Sequence, residues 1–134
     1  MSTYIIQLVI TSSTSIGALV MQELNYAIHV RKSGRYYKNL DPVWIIQRLE
    51  KFEKEHGIKI LDSELYAIMK KLDGEYIQSL FIDGYKVKPC GYIIEFYVES
   101  SKSREETTNL ITSFFNNLVN TYNTRYEKIN EVLM

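Results

Sequence analysis

Hydrophobic positions recur at helical spacing in two stretches of the N-terminal half. Across residues 16–30 they fall every three or four residues, which predicts an amphipathic helix. A second such run follows Asp41 and Pro42, which suit the cap and the first position of a helix. Gly57 can end this run because it tolerates a positive φ. A helix is therefore predicted over residues 41–56.

A third, shorter run of helical spacing begins where Asp62 or Ser63 can cap a helix and Gly74 can end it. Its apolar positions are Leu65, Ile68, Met69 and Leu72. Two capped helices joined by a turn of four or five residues are typical of a helix-turn-helix. The apolar run over residues 4–10 fits either a buried strand or a helix turn.

The period changes from helical to strand-like after Tyr76. Residues 77–82 are rich in strand-forming types, Asp83 and Gly84 signal a turn, and residues 85–88 alternate. Residues 92–98 form the strongest predicted strand of the chain. The pattern therefore predicts a β-hairpin, or wing, directly after the helix-turn-helix.

The C-terminal stretch, residues 103–132, predicts one long helix. Ser103 and Glu106 fit a capping box. Thirty residues of helix extend about 45 Å, which is wide for a small domain, so we expect the apolar stripe to pair with the same helix of a second copy. The predicted dimer interface consists of Ile111, Phe114, Phe115, Leu118, Tyr122, Tyr126 and Ile129.

Composition narrows the class of protein. The 134 residues carry 16 basic and 16 acidic side chains, so bulk electrostatic coating of nucleic acid is disfavoured, although a local basic patch is not. No apolar run has the roughly 18 residues of a membrane helix, and residues 1–9 lack a positive leader region, so we expect no membrane partner. With a single cysteine, Cys90, we expect a cytoplasmic protein.

Residues that could support catalysis are scattered. His29 and His56 stand 27 positions apart without metal-ligand neighbours, and Cys90 lies at a predicted turn. No glycine-flanked serine elbow and no phosphate-binding glycine loop occurs. We therefore expect no enzyme activity, no catalytic residue, no metal and no cofactor.

The order of elements resembles the PadR-like winged helix-turn-helix regulators. Residues 65–73 (LYAIMKKLD) match the recognition segment of that group, and residues 74–77 stand at the entry to the wing. Residues 17–24 are similar to its upstream helix, with Ala18 where an aromatic residue is usual. The helix over residues 41–56 is either an insertion or itself the first helix of the helix-turn-helix, and we favour the second slightly.

This resemblance implies an α+β fold: a winged helix-turn-helix over residues 1–100, with an N-terminal extension, and a dimerisation helix over residues 101–134. It implies a homodimeric regulator that binds double-stranded DNA through a recognition helix in the major groove. The expected DNA contacts are Ser63, Glu64, Tyr66, Ala67, Lys70, Lys71, Lys86, Lys88, Arg31, Lys32, Arg35 and Lys38.

Two alternatives remain open. One is a non-enzymatic protein-interaction or assembly module that binds no DNA, because winged helices also serve that role. The other is a ferredoxin-like ligand-binding domain, in which residues 4–10 and 92–98 pair in one sheet.

Overall fold

The fold was obtained as a computed structural model, which describes residues 1–35, 42–70, 76–80 and 89–133. Three helices and four strands lie in this part of the chain. In chain order they are β1 (Ser2–Ile10), α1 (Ile16–Ser33), α2 (Val43–His56), β2 (Ile58–Lys70), β3 (Tyr76–Leu80), β4 (Gly91–Ser100) and α3 (Arg104–Leu133). The fold class is α+β.

The four strands form one antiparallel sheet in the order β1-β4-β2-β3. β4 pairs with β1 on one side and with β2 on the other, so β1 and β2 run parallel with β4 between them. Ile6 lies opposite Phe96 in the first pairing and Ser63 lies opposite Phe96 in the second. The pairing of residues 4–10 with 92–98, expected for the ferredoxin-like alternative, is confirmed.

Strict alternation along β4 separates the two faces of the sheet. Tyr92, Ile94, Phe96 and Val98 are buried, whereas the residues between them keep part of their surface in solvent. Successive side chains of a strand point to opposite faces, so the buried set faces the helices. A single core results, to which all three helices contribute.

Helix ends follow the local signals in the sequence. Ser15 accepts a hydrogen bond from the Ala18 amide at the start of α1, and Ser103 accepts one from the Glu106 amide at the start of α3. Gly57 ends α2 with a φ of 65°. The predicted helices over residues 16–30, 41–56 and 103–132 are confirmed as elements. The predicted start of the second is wrong in detail, because α2 begins at Val43 and Pro42 is its cap, without a side-chain hydrogen bond, instead of its first residue.

The predicted helix after Ser63 is wrong, because residues 58–70 form the strand β2. The inward positions change parity along β2: Ile58 and Ile60 are buried before the irregularity at Leu61, and Ser63, Leu65 and Ala67 are buried after it. Leu61 is the extra residue of a β-bulge, opposite no residue of β4. Pairing on both sides of β2 outweighs a weak local preference for helix.

The predicted wing also differs from the structure. Residues 76–80 do form a strand, β3, but its partner is β2. The other predicted wing strand, residues 85–88, lies outside the described residues. With β2 a strand and β3 paired to it, the described part of the chain contains no helix-turn-helix.

The long C-terminal helix packs on its own domain. Ile111, Phe114, Phe115 and Leu118, predicted to face a second copy, are buried in the core of the same chain, and Tyr122 packs against that core. The assignment of Ile111, Phe114, Phe115 and Leu118 to a dimer interface is therefore wrong, and the assignment of Tyr122, Tyr126 and Ile129 stays a prediction. The predicted boundary at residue 100 crosses this core, because α3 fills the same helical layer as α1. Tyr126 and Ile129 lie in the last turns of α3.

Candidate interaction surface

The three described helices pack on one side of the sheet and leave the other side, here called the open face, uncovered by them. The centre of the open face is formed by three neighbouring strands. Its residues are Ile5, Gln7 and Val9 of β1, Ile93, Glu95 and Tyr97 of β4, and Glu64 and Tyr66 of β2. Asp62 lies opposite Tyr97 at the border of this face, where Lys32 of α1 reaches it.

Two carboxylates occupy the middle of the open face. Glu64 of β2 lies directly opposite Glu95 of β4. Tyr66 Oη donates a hydrogen bond of 2.5 Å to Glu64 Oε2, and Gln7 Nε2 donates one to Glu95 Oε2. Like charges directly opposite each other across a ladder cost stability. The hydrogen bonds orient the two carboxylates but leave both negative charges in place.

Two tyrosines flank this pair. The hydrogen bond to Glu64 raises the pKa of Tyr66, together with desolvation and the negative charge of Glu95. Desolvation raises the pKa of Tyr97, and the charges of Glu64, Glu95 and Asp62 add to the effect. Both phenols therefore stay protonated at neutral pH and act as hydrogen-bond donors beside the carboxylates.

No ion pair neutralises Glu64 or Glu95 among the residues that the structure describes. Asp62 differs, because Lys32 Nζ lies 2.8 Å from its Oδ2. Partial burial alone would raise the pKa of Asp62, but the bonds from Lys32 and from the Ser63 amide, with the charge of Lys32, lower it overall. The uncompensated negative charge is thus centred on Glu64 and Glu95.

Apolar side chains border the carboxylates on the β1 side. Ile5 and Val9 are 51% and 55% exposed, and they stand two residues before and two residues after Gln7 on β1. Ile93 of β4 lies opposite Val9. The open face therefore combines a negative centre, two aromatic rings and an aliphatic border.

The four residues expected at the start of a recognition helix are divided between the two faces of β2. Ser63 and Ala67 are buried among the helices, and Ser63 Oγ donates to Asn25 Oδ1 of α1 at 2.7 Å. Glu64 and Tyr66 lie on the open face. Placement of these residues on one helical face is wrong, because a strand sends neighbours to opposite sides.

The remaining predicted DNA contacts that the structure describes lie on different elements. Arg31 donates to both carboxylate oxygens of Glu53 and to the Ile60 carbonyl, and Lys32 is bound to Asp62. These two side chains join α1 to α2 and β2, so they are engaged within the chain. Arg35 is exposed just after α1, and Lys70 is the last residue of β2. Lys38, Lys71, Lys86 and Lys88 lie outside the described residues.

Sequence reasoning missed Gln7, Glu95 and Tyr97 as surface residues. A signal for the first two was present, because each is the one polar residue in the middle of an apolar strand, YIIQLVI and YIIEFYV. The register places these two polar residues opposite each other. A lone polar residue in each of two strands that pair marks the solvent side of the sheet.

Two other kinds of feature, a metal site and a membrane-spanning helix, were sought among the described residues. Across residues 1–35, 42–70, 76–80 and 89–133, no group of three or more histidine, cysteine or acidic residues is placed to hold a metal ion. No helix within those residues combines the length and the apolar character needed to cross a bilayer.

Comparison with models of protein families, with characterised proteins and with solved structures found no match to this chain. The resemblance to PadR-like regulators depended on residues 65–73 being a helix, and residues 65–70 belong to β2. Membership of that group stays a prediction, and the recognition helix that suggested it is absent from the described residues.

Proposed function

We propose that the chain is a non-enzymatic protein-interaction module whose open face binds a basic segment of a partner protein. One observation carries the proposal: Glu64 and Glu95 oppose each other on a sheet face that the described helices leave uncovered. A like-charge pair of this kind lowers the stability of the free chain, and a cation placed between the two carboxylates removes that cost.

The surroundings of the two carboxylates suit the side chain of arginine or lysine. Carboxylates bind a guanidinium through charge-assisted hydrogen bonds. The rings of Tyr66 and Tyr97 lie on either side of the pair along the strands, where aromatic faces attract cations. The hydrogen bond from the Tyr66 hydroxyl keeps an acceptor oxygen of Glu64 oriented.

The aliphatic border sets the second requirement for the partner. Ile5 and Val9 offer apolar surface one strand away from Glu95. An extended segment that alternates basic and aliphatic residues matches this arrangement. Removing exposed apolar area from water then adds to the electrostatic attraction.

The function proposed here differs from the predicted recognition of double-stranded DNA, which stays a prediction. On the open face the carboxylates of Glu64 and Glu95 repel phosphate. DNA binding would therefore need a different surface, and it serves as a separate arm of the experiment.

The test is isothermal titration calorimetry at two salt concentrations, in which the full chain is titrated with a synthetic peptide of alternating arginine and leucine. Wild-type protein is expected to bind, more weakly at high salt. The double variant E64Q/E95Q is expected to lose at least about tenfold in affinity, or about 1.4 kcal/mol. The double variant E50Q/E55Q, which removes the same charge from the exposed side of α2, is the matched control.

Equal affinities of E64Q/E95Q and E50Q/E55Q would overturn the proposal, because binding would then depend on net charge alone. Absence of peptide binding by the wild type would overturn it as well. Titration with a mixed-sequence DNA duplex completes the set: tight, salt-dependent binding of duplex that is unaffected by E64Q/E95Q would favour the DNA-binding prediction.

A further inference from the structure

We propose that β1 pairs antiparallel with β1 of a second copy, about a two-fold axis at Gln7, so that two sheets join into one of eight strands. This pairing uses the edge of the sheet and does not require a ligand on the open face.

β1 is an edge strand without the usual protection. It lies at one end of the strand order, and no strand among the described residues pairs with its free side, so the backbone N–H and C=O groups there have no strand partner. Its nine residues, STYIIQLVI, include no proline and no charged side chain. Its pairing with β4 runs without a bulge from Ser2 to Ile10. Natural sheets place charges, prolines or bulges on such edges to prevent pairing with another chain.

The opposite edge of the sheet provides a contrast. Within residues 76–80, which are the part of this region that the structure describes, β3 has five residues, against nine in β1. Short edge strands are themselves a protection, since they offer few unpaired backbone groups. β1 is therefore the edge that favours strand addition.

Exposed apolar side chains also concentrate on β1. Ile5 and Val9 are 51% and 55% exposed, which is unusual for two large aliphatic residues of one strand. Both project to the same side of the strand, four residues apart. The side chains of a strand added beside β1 would pack against both.

The residue pattern of β1 identifies a second copy as that neighbour. With the axis at Gln7, Ile5 lies opposite the partner's Val9, and Ile6 lies opposite the partner's Leu8. Tyr4 lies opposite the partner's Ile10, and Gln7 lies opposite the partner's Gln7. Apolar residues thus meet apolar residues and the one central polar residue meets itself, which is the self-complementarity that a two-fold interface requires.

Arg104 is the described residue that covers part of this edge. Its guanidinium donates a hydrogen bond of 3.0 Å to the Ile5 carbonyl and lies 5.0 Å from the centre of the Tyr4 ring. A carbonyl oxygen has two lone pairs, so this bond leaves one for an N–H of the second copy. The residues from Gln7 to Ile10 lie beyond this contact.

Sedimentation velocity of the full chain over a wide concentration series tests the pairing. Two double variants are compared, which differ only in the sign of the charge at residue 9. In I5K/V9K, each new lysine faces a lysine of the second copy, and we expect a monomer. In I5K/V9E, each new lysine faces a glutamate, and we expect the dimer to return. Lys–Glu contact within one copy is weak because residues 5 and 9 are about 13 Å apart along a strand.

Circular dichroism melts of both variants identify any loss of folding. If I5K/V9K unfolds, the single variants I5K and V9E replace it: each alone should weaken the dimer, and an equimolar mixture should restore it. A wild-type chain that is monomeric throughout the series would overturn the proposal. So would two double variants that dimerise equally, since the contact would then lie elsewhere, for instance on α3.

Discussion

Glu64 of β2 and Glu95 of β4 lie directly opposite each other in the register of the sheet, on the face that the helices leave open. Each accepts a hydrogen bond from a neutral side chain, Tyr66 or Gln7, and neither forms an ion pair with a cation in the part of the chain that the structure describes. The unpartnered charge on this surface is the basis of the proposed function.

Replacing Glu95 by glutamine is expected to stabilise the free chain. The substitution removes the like-charge contact with Glu64 and keeps an oxygen that can accept from Gln7. We expect the free energy of unfolding in urea to rise by about 0.5 kcal/mol. Glu99→Gln is the control on the same face of β4: Glu99 lies opposite Lys59, so its loss should lower stability slightly. A drop in stability for E95Q equal to that for E99Q would contradict the expected repulsion.

Tyr66 should make the stability of the chain depend on alkaline pH. The hydrogen bond to Glu64, with desolvation and the charge of Glu95, raises the pKa of Tyr66 above its ordinary value of 10.0. The folded chain therefore holds this proton more tightly than the unfolded chain, so the stabilisation is complete below pH 10 and is lost as the pH rises further. We expect the stability difference between wild type and Y66F, measured in urea, to shrink above pH 10. A difference that stays constant to higher pH would show that the Tyr66 hydroxyl is not coupled to Glu64.

The Arg31–Glu53 pair should be a strong contributor to stability. Glu53 receives two bonds from Arg31 and one of 2.7 Å from the Ile60 amide, and Arg31 also donates to the Ile60 carbonyl. Glu53→Ala leaves a largely buried guanidinium without its carboxylate, and we expect a loss of about 2–3 kcal/mol. Glu55→Ala is the control, because Glu55 is half exposed and lies 3.9 Å from Lys51. We expect that change to cost less than about 0.5 kcal/mol in the same urea titration. Equal losses of unfolding free energy in the two variants would show that the Arg31–Glu53 pair contributes no more than an exposed ion pair.

Gly91 is expected to tolerate no side chain. A Cβ at this position would lie 2.1 Å from the Ile10 carbonyl oxygen, a backbone atom that cannot move without disturbing the β1–β4 pairing. We expect Gly91→Ala to cost about 4 kcal/mol or more, or to prevent folding. In Gly34→Ala the new Cβ meets nothing within 4 Å, and the positive φ of 71° alone should cost about 1 kcal/mol. If the two variants have the same melting temperature, the close approach of the Ile10 carbonyl to Gly91 is contradicted.

Phe114 distinguishes a core residue from a dimer contact. Its ring stacks on Phe52 of α2 with centroids 4.7 Å apart, and it is 8% exposed. We expect Phe114→Ala to cost about 3–5 kcal/mol of unfolding free energy, the same at low and high protein concentration. A loss that grows with protein concentration would show that Phe114 acts between two copies, as the sequence had suggested.

The helices of this chain were accessible from sequence because their signals are local. The cap at Ser103, the stop at Gly57 and the apolar spacing of α1 each involve residues a few positions apart. β2 was not accessible, because the bulge at Leu61 moves the inward positions from Ile60 to Ser63 and so hides the alternation. The remaining apolar residues of that segment then fit a helical period as well.

The candidate surface was only partly predictable for a related reason. Glu64 and Tyr66 were identified as recognition residues, and both lie on the open face, but the chemistry expected of them differed. Glu95 and Gln7 join them through pairings between residues 31 and 88 positions apart, which no local pattern contains. The negative centre is a product of the strand order.

The open face depends above all on residues 58–70 forming a strand between β4 and β3, which nuclear magnetic resonance can test. Nuclear Overhauser spectra of the full-length, isotope-labelled protein should show cross-strand contacts between Glu64 and Glu95 and between Leu65 and Ile94, with no regular contacts between residues three apart in residues 62–70. Regular i to i+3 contacts through Leu65 and Ile68, without cross-strand contacts to β4, would restore the helix and contradict the open face.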